Sequence, residues 1–495
     1  MKLKFLSAVW LAQLCHSATA LPSPPPADVV SVEANGHSRS VPTEAQEPAP
    51  PSALDRRATL PSRDKFYLPP AGFESAAPGT VLRDRPILAA FLGIIPDLTV
   101  RAHQVLYRTT AVNGTPVAAV TTIFAPLLFA KKDRLVTYNT AYDSACVDCN
   151  PSYAFQFGSL PTNVLLAADF LLLQAYLAKG YVVNSPDYEG PDAAFSVGRL
   201  AATGVLDSMR AAQSFGSAKL GLAANAAMVG TGYSGGGLAT AWAAALQPTH
   251  APELTIKGWA VGGVPANITA MVPFLDGGRT SGFLPVAIAG QMKPSAYGAE
   301  LAPVFDRIVT DEGRAAMRTA NTQCAVPNLL KFSGKSVLST SFQTLGDGFL
   351  HDPTVSKVLA RGTLGVVREE TPAAPVYMYH AQQDEVVVYG PAFDTYQRWC
   401  ANGAAVSFVA FPTGGHVSTG AFGAPGAVDF VQRAFDGSVA TSSCSFKTAG
   451  DTSVSSSALG STAQPAAVQL NALVDEVGVD DGKWLDGLGQ GQASS

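Results

Sequence analysis

Short, almost unbroken apolar runs alternate along this chain with longer stretches in which apolar residues recur at helical spacing. The runs read as strands near 117–126, 134–141, 181–186, 226–233, 254–262, 376–380 and 406–411. The longer stretches read as helices near 163–178, 202–216, 236–247, 390–402 and 424–435. Strands that are apolar at successive positions are buried on both faces. A regular succession of strand and helix then builds a mostly parallel sheet covered by helices on both sides. The expected fold class is α/β. The rhythm breaks between about 266 and 345. There Met271 to Leu275, Phe283 to Ile288 and a helical pattern over Asp311 to Thr322 follow one another without a strand. This insertion reads as a helical cap over the sheet, either a gate or a packed subdomain.

Both ends of the chain lack the rhythm. Met1-Lys2-Leu3-Lys4 is basic, Phe5 to Leu14 is apolar but too short to span a bilayer, and Ala18-Thr19-Ala20 is a small-residue cleavage site. Together they read as a secretory signal peptide over 1–20. Residues 21–63 are Pro-rich and polar, a propeptide or disordered linker that cannot bury enough surface to fold alone. Arg56-Arg57 is a dibasic processing site or part of a charged linker, so the mature chain begins after Ala20 or after Arg57. The main domain then covers 64–444, and 445–495 is an extension expected to be partly disordered, with one apolar-periodic stretch from Val468 to Val477. Val164 to Leu177 is strongly apolar, but Asp169 interrupts it and Lys179-Gly180 ends it, which fits a core helix better than a membrane span.

The sharpest chemical signal lies between the run Ala226 to Gly230 and the helical stretch Leu238 to Leu246. There Gly232-Tyr233-Ser234-Gly235-Gly236 spells G-x-S-x-G, the nucleophile elbow of α/β-hydrolases. Such a turn is too tight for side chains at its flanks. It lifts the serine hydroxyl clear of the backbone, and the next helix aims its N-terminal amides at the site. Neither G-K-[ST] nor G-x-G-x-x-G follows, which argues against nucleotide binding.

A serine hydroxyl is a poor nucleophile until an imidazole takes its proton, and the imidazole needs an acid to fix its tautomer. In this fold the order is serine, acid, histidine. His416, in Pro412-Thr413-Gly414-Gly415-His416 just past the run Val406 to Phe411, can reach back from a Gly-Gly turn. His380 reads as packed at a strand end, and His351 as an ordinary loop residue. The acid belongs just past the strand Val376 to His380. Asp384 is the first choice, Glu385 the second, and Asp394 falls in a helix. The oxyanion needs two donors. One is the N–H of Gly235; the other comes from an early loop, for which Tyr142-Asp143-Ser144 follows the strand Leu135 to Ala141.

Several of these segments resemble the fungal secretory lipases of the Candida antarctica lipase A type. They are Tyr142-Asp143-Ser144 with Cys149-Asn150-Pro151-Ser152-Tyr153, Pro186-Asp187-Tyr188-Glu189-Gly190-Pro191, the Ser234 pentapeptide, Gly258 to Gly263, and Phe411 to His416. The opening Phe66-Tyr67-Leu68-Pro69-Pro70 and Pro78 to Arg83 are also similar, so the resemblance runs from about 64 to about 444. It implies an α/β-hydrolase fold with Ser234 as nucleophile, Asp384 as acid and His416 as base, and Asp143 and Gly235 at the oxyanion hole. It also implies disulfides Cys149–Cys324 and Cys400–Cys444, as suits a secreted protein. It implies a cap that covers the acyl pocket as a lid, and hydrolysis of carboxylic esters, chiefly acylglycerols, with no cofactor and no metal. Cys146 then stays free or competes with Cys149 for Cys324. Cys146-Val147-Asp148-Cys149 has no second C-x-x-C to complete a metal or redox site. The family's C-terminus folds back as a flap, but this tail departs too far in composition for that role to carry over. Asn113-Gly114-Thr115 and Asn267-Ile268-Thr269 are glycosylation sequons if exposed.

Composition narrows the partners. A net charge of −5 without a basic run argues against nucleic acid. Only 14% of residues are charged, below the usual quarter or so. Either a large buried core or an apolar-leaning surface suited to a lipid–water interface accounts for that. The expectation is a secreted, monomeric serine hydrolase acting on an acylglycerol or another ester. An esterase or deacetylase of a soluble small molecule is the alternative, since a fold does not fix the substrate. A binding protein that lost activity is the third reading, opposed by the complete Ser234, Asp384 and His416 set.

Overall fold

The apolar runs pair into one ten-stranded sheet, described here from a computed structural model that covers residues 57–161, 165–450 and 464–490. The signal-peptide assignment, most of the Pro-rich stretch and Arg56 lie outside the described residues. The strands are β1 (Val81–Ile87), β4 (Val100–Thr110), β5 (Pro116–Pro126), β6 (Lys131–Asn139), β7 (Tyr181–Pro186), β8 (Ala227–Tyr233), β9 (Ile256–Gly262), β10 (Val376–Ala381), β11 (Val406–Phe411) and β12 (Ser445–Thr448). A separate small hairpin joins β2 (Ala90–Phe91) to β3 (Ile95–Pro96). The order across the main sheet is β1-β4-β5-β7-β6-β8-β9-β10-β11-β12. Pairing is antiparallel from β1 to β7 and parallel from β7 onward. This is the α/β-hydrolase arrangement the sequence led us to expect.

The main helices are α1 (Leu165–Ala178), α2 (Gly198–Phe215), α3 (Gly235–His250), α4 (Ile268–Leu275), α5 (Phe283–Gln291), α6 (Gly298–Ile308), α7 (Asp311–Ala320), α8 (Ala325–Phe332), α9 (Pro353–Ala360), α10 (Tyr389–Ala401), α11 (His416–Phe435), α12 (Gln464–Val477) and α13 (Gly482–Gln490). Helices α4 to α9 fill the stretch between β9 and β10, as a run of helices without a strand of the sheet. Among the described residues no helix is long and apolar enough to cross a membrane.

Three strands of the main sheet escaped the sequence pattern, as did the two short strands of the hairpin. β1 carries Arg83, Asp84 and Arg85, and Arg85 pairs with Asp64 at 2.7 Å and lies over the Phe66 ring. β4 buries Gln104 and Thr109, whose side chains are bonded to Ser152 O and to Asp207 Oδ2. Buried polar groups with partners cost little, so polarity misled the pattern. β12 is an exposed edge strand of four residues.

Helix α11 is longer at its start than the expected 424–435. Gly420, Gly423, Pro425 and Gly426 depress helix propensity there. The structure gives the reason for two of them. A Cβ at Gly423 would strike the Tyr379 ring, and one at Gly426 the Tyr377 hydroxyl. The helix therefore lies directly on a tyrosine row of β10, which offsets its poor propensity by close packing.

The structure joins Cys149 to Cys324 and Cys400 to Cys444, with Cα–Cα distances of 5.6 and 6.1 Å. The first bond ties the segment after β6 to the N-cap of α8, across 175 residues of chain. Cys146 is free and half-buried, and burial pushes its thiol up from its ordinary range. Asn113 is exposed in the β4–β5 hairpin, whereas the Asn267 amide oxygen accepts from Ala270 N–H and caps α4. Disulfides that close long loops restrict the unfolded chain most. A Cys149→Ser, Cys324→Ser double variant is expected to lose about 2–4 kcal/mol of stability. The measurement is the urea unfolding midpoint, and an unchanged midpoint contradicts it.

Candidate active site

Parallel strands that end at one level deliver their loops to one edge of the sheet. Asn139 lies opposite Gly232, Tyr233 opposite Gly262, and Ala381 opposite Phe411. The residues that follow β6, β8, β10 and β11 thus meet: Asp143, Ser234, Asp384 and His416.

Ser234 joins β8 to α3 with φ 55° and ψ −121°, a conformation disfavoured for a residue with a side chain. Its neighbours have no room to relieve it. A Cβ at Gly232 would collide with Gly236 O, and one at Gly236 with Asn139 O. The turn therefore presses on the backbone of β6, and only glycine fits at either flank.

The His416 ring bridges the rest. Ser234 Oγ lies 2.8 Å from Nε2, and Nδ1 donates to Asp384 Oδ2 at 2.7 Å. The other oxygen, Asp384 Oδ1, accepts from Val386 N–H at 2.9 Å and Val387 N–H at 2.7 Å. Tyr233 donates its hydroxyl to His416 O at 2.6 Å, and its ring lies 5.1 Å from the imidazole. Glu385, the second choice for the acid, instead accepts the His416 backbone N–H at 3.0 Å. Asp394 lies on α10, as expected.

Charge at this edge is lopsided. Burial works against ionised Asp384, but the His416 imidazolium, with hydrogen bonds from His380 and His416, outweighs it and holds the carboxyl well below the usual range. Burial likewise works against a charge on His416, but Asp384, then Glu385 and Asp481, outweigh it and push the imidazole up to about 9. His380 is more than packing: its Nε2–H donates to Val387 O at 3.0 Å and sits 3.3 Å from Asp384 Oδ2. Its only sequence signal was adjacency to the acid loop. Asp481, on the tail, had none.

Asp143 is buried with φ 45°, and its Oδ1 has no hydrogen-bond partner among the described residues. The carboxyl lies so close over Gly235 that a Cβ there would strike Oδ1. Burial pushes this carboxyl up to about 7. A proton on it makes an O–H donor beside the Gly235 N–H, which sits at the first position of α3, where amides lack intrahelical partners.

Two cavities meet at Ser234 and Asp143. The first, of about 730 Å³, runs beneath α4 and α5, the helices of the expected cap, between Ile268, Met271, Val272, Leu275, Phe283 and Leu284. It adjoins a further apolar cavity of about 490 Å³ that shares Ile268, Val272, Leu284 and Ala287. The second, of about 750 Å³, lies on the His416 side and is bounded by Leu172, Asp169, Val417, Leu470, Leu473 and Trp484. Asp169 accepts from Tyr138 Oη at 2.5 Å and Ala141 N–H at 3.0 Å, and burial pushes it up to about 6.

Known proteins resemble this chain in sequence and in fold. The sequence model of the secretory lipase family matches residues 155–443. A secreted triacylglycerol lipase of Malassezia restricta is 38% identical over 76% of this chain and 80% of its own. Another, from Malassezia furfur, is 37% identical over 81% of each chain. The X-ray structure of Candida antarctica lipase A in its closed state superposes with a TM-score of 0.76 at 28% identity, covering 84% of this chain and 96% of that one. With the serine elbow, the histidine and the acid at one sheet edge, the chain belongs to the secretory lipase family.

Proposed function

We propose that this protein is a secreted triacylglycerol lipase in which Ser234, His416 and Asp384 carry the reaction. The observation behind the reading is the hydrogen-bonded line Ser234–His416–Asp384 standing where two large cavities meet. Ser234 Oγ attacks the ester carbonyl carbon and passes its proton to His416 Nε2. The carbonyl oxygen becomes an oxyanion that accepts from Gly235 N–H and from protonated Asp143. Its collapse breaks the bond to the alcohol oxygen, which takes the proton from His416. Water then attacks the acyl-enzyme, His416 takes and returns a proton, and the fatty acid leaves Ser234. No cofactor or metal enters these steps.

The cap-side cavity and its apolar continuation suit a long acyl chain, which places the alcohol portion on the His416 side. We assign this activity to the monomer, working at the lipid–water interface. Hydrolysis of one acyl ester, followed from below to above its solubility limit, tests this. The rate is expected to climb as the substrate aggregates and to vanish in Ser234→Ala. Saturation below the limit would make the protein an esterase of soluble substrates, and full activity in Ser234→Ala would remove the mechanism.

The base must be neutral to act. Since its acidic neighbours raise His416 above the ordinary 6.5 or so, kcat/KM of the free enzyme should fall as pH drops through a midpoint above that value. A midpoint at or below about 6.5 contradicts the reading.

Asp143→Ala is expected to lower kcat by about 10²–10³. Asp143→Asn keeps a donor at every pH and should retain more activity than Asp143→Ala throughout, whereas the native carboxyl is a donor only while it holds its proton, up to about pH 7. Equal losses in both would take the side chain out of the oxyanion hole.

A further inference from the structure

Helix α11 begins at His416 itself, so its first N–H groups have no partners within the helix. Such an end is normally capped by a Ser, Thr, Asp or Asn side chain at the preceding position. Here that position is Gly415, which has no side chain. The cap comes from the far end of the chain. Val417 N–H and Ser418 N–H both donate to the Asp481 carboxylate, at 2.5 and 2.9 Å. Asp481 sits in the turn between α12 and α13, buried, with φ 60° in the left-handed region. The same turn offers Val479 O to Gly415 N–H at 3.3 Å and to Ser418 Oγ at 2.7 Å. Gly415 leaves room for nothing else: a Cβ would lie 2.6 Å from Asp481 Cγ and 2.7 Å from Glu385 Oε2.

We propose that Asp481 is a positioning residue of this hydrolase, which caps the first turn of α11 and so fixes the His416 imidazole between Asp384 and Ser234. The inference rests on the reading of His416 as base. Its consequence is chemical as well as mechanical. The groups facing His416 are Asp384 and Glu385 from the loop after β10, His380 and Tyr233 from the strands, Asp143 from the loop after β6, and Asp481 from the tail. Asp481 adds a negative charge near the ring, beside that of Asp384, and so favours the imidazolium formed on proton transfer. Burial and the nearby Glu385 carboxyl make these two acids compete for charge, and burial raises both.

The test uses the full chain and a water-soluble short-chain nitrophenyl ester, with kcat and KM followed against pH. Asp481→Ala is expected to lower kcat about tenfold with KM little changed, a small part of the 10²–10⁴ that a general base supplies. Asp481→Asn keeps one acceptor oxygen and should lose less. With a negative charge gone, the acid limb of its pH profile should move to lower pH. Glu385 ionises more readily in that variant and returns part of the lost field. Asp481→Asn with Glu385→Gln should therefore move the limb further. An unmoved limb in the double variant, or an unchanged kcat in Asp481→Ala, overturns the proposal. If Asp481→Ala does not fold, as read by its thermal unfolding, the two amide variants decide. Hydrolysis that survives His416→Ala would overturn the reading of the base itself and is scored separately.

Discussion

Everything at this site depends on parallel strands reaching one edge in register. Neighbouring strands stand about 4.8 Å apart, so β8 and β11, three places apart in the sheet, are about 14 Å from each other. A serine and a histidine 182 residues apart in sequence can meet across that gap only if one of them reaches. The elbow holds Ser234 rigid by steric exclusion, with Gly232 and Gly236 pressed against backbone oxygens. The reach is therefore made by the loop after β11, which brings His416 back over β10 toward the serine. Asp384, in the loop after the intervening β10, is placed to hold the ring from behind. The register is itself protected by burial: β7, β8 and β10 are almost wholly enclosed, and a slipped strand would have to expose that surface.

The electrostatics follow from that geometry. A single imidazole faces several carboxyl groups in a region with little water. Two of these carboxyl groups differ in kind. Asp384 is bonded to two backbone amides and two histidines, so it stays ionised despite burial. Asp143 has burial without such partners, so it holds its proton to near neutral pH. One residue type thus supplies both an acceptor and a donor, set apart by how many hydrogen bonds surround each.

Much of this was legible in the chain itself. The central strands are apolar at nearly every position, and the Ser234 pentapeptide, the Asp384 loop and the His416 turn each follow such a strand. Their spacing is local, so local pattern finds them. What the pattern missed is what long-range contact decides. β1 and β4 owe their strand form to partners for Arg85, Gln104 and Thr109 that lie tens of residues away. The first turns of α11 exist because glycines fit against tyrosines from another strand. His380 looked like packing because its bond to Asp384 depends on the turn between them. Asp481 lay in a Gly- and Asp-rich turn of the kind usually read as loop punctuation.

The Cys149–Cys324 bond limits what the helices above Ser234 can do. It fixes the start of α8 to the segment that follows β6 and Asp143. The helices between β9 and β10 are therefore tethered at three points, their two chain ends and this bond. A cross-link inside an otherwise continuous insertion divides it into two shorter spans, α4 to α7 on one side and α8 and α9 on the other. Each span is a loop anchored at both of its ends.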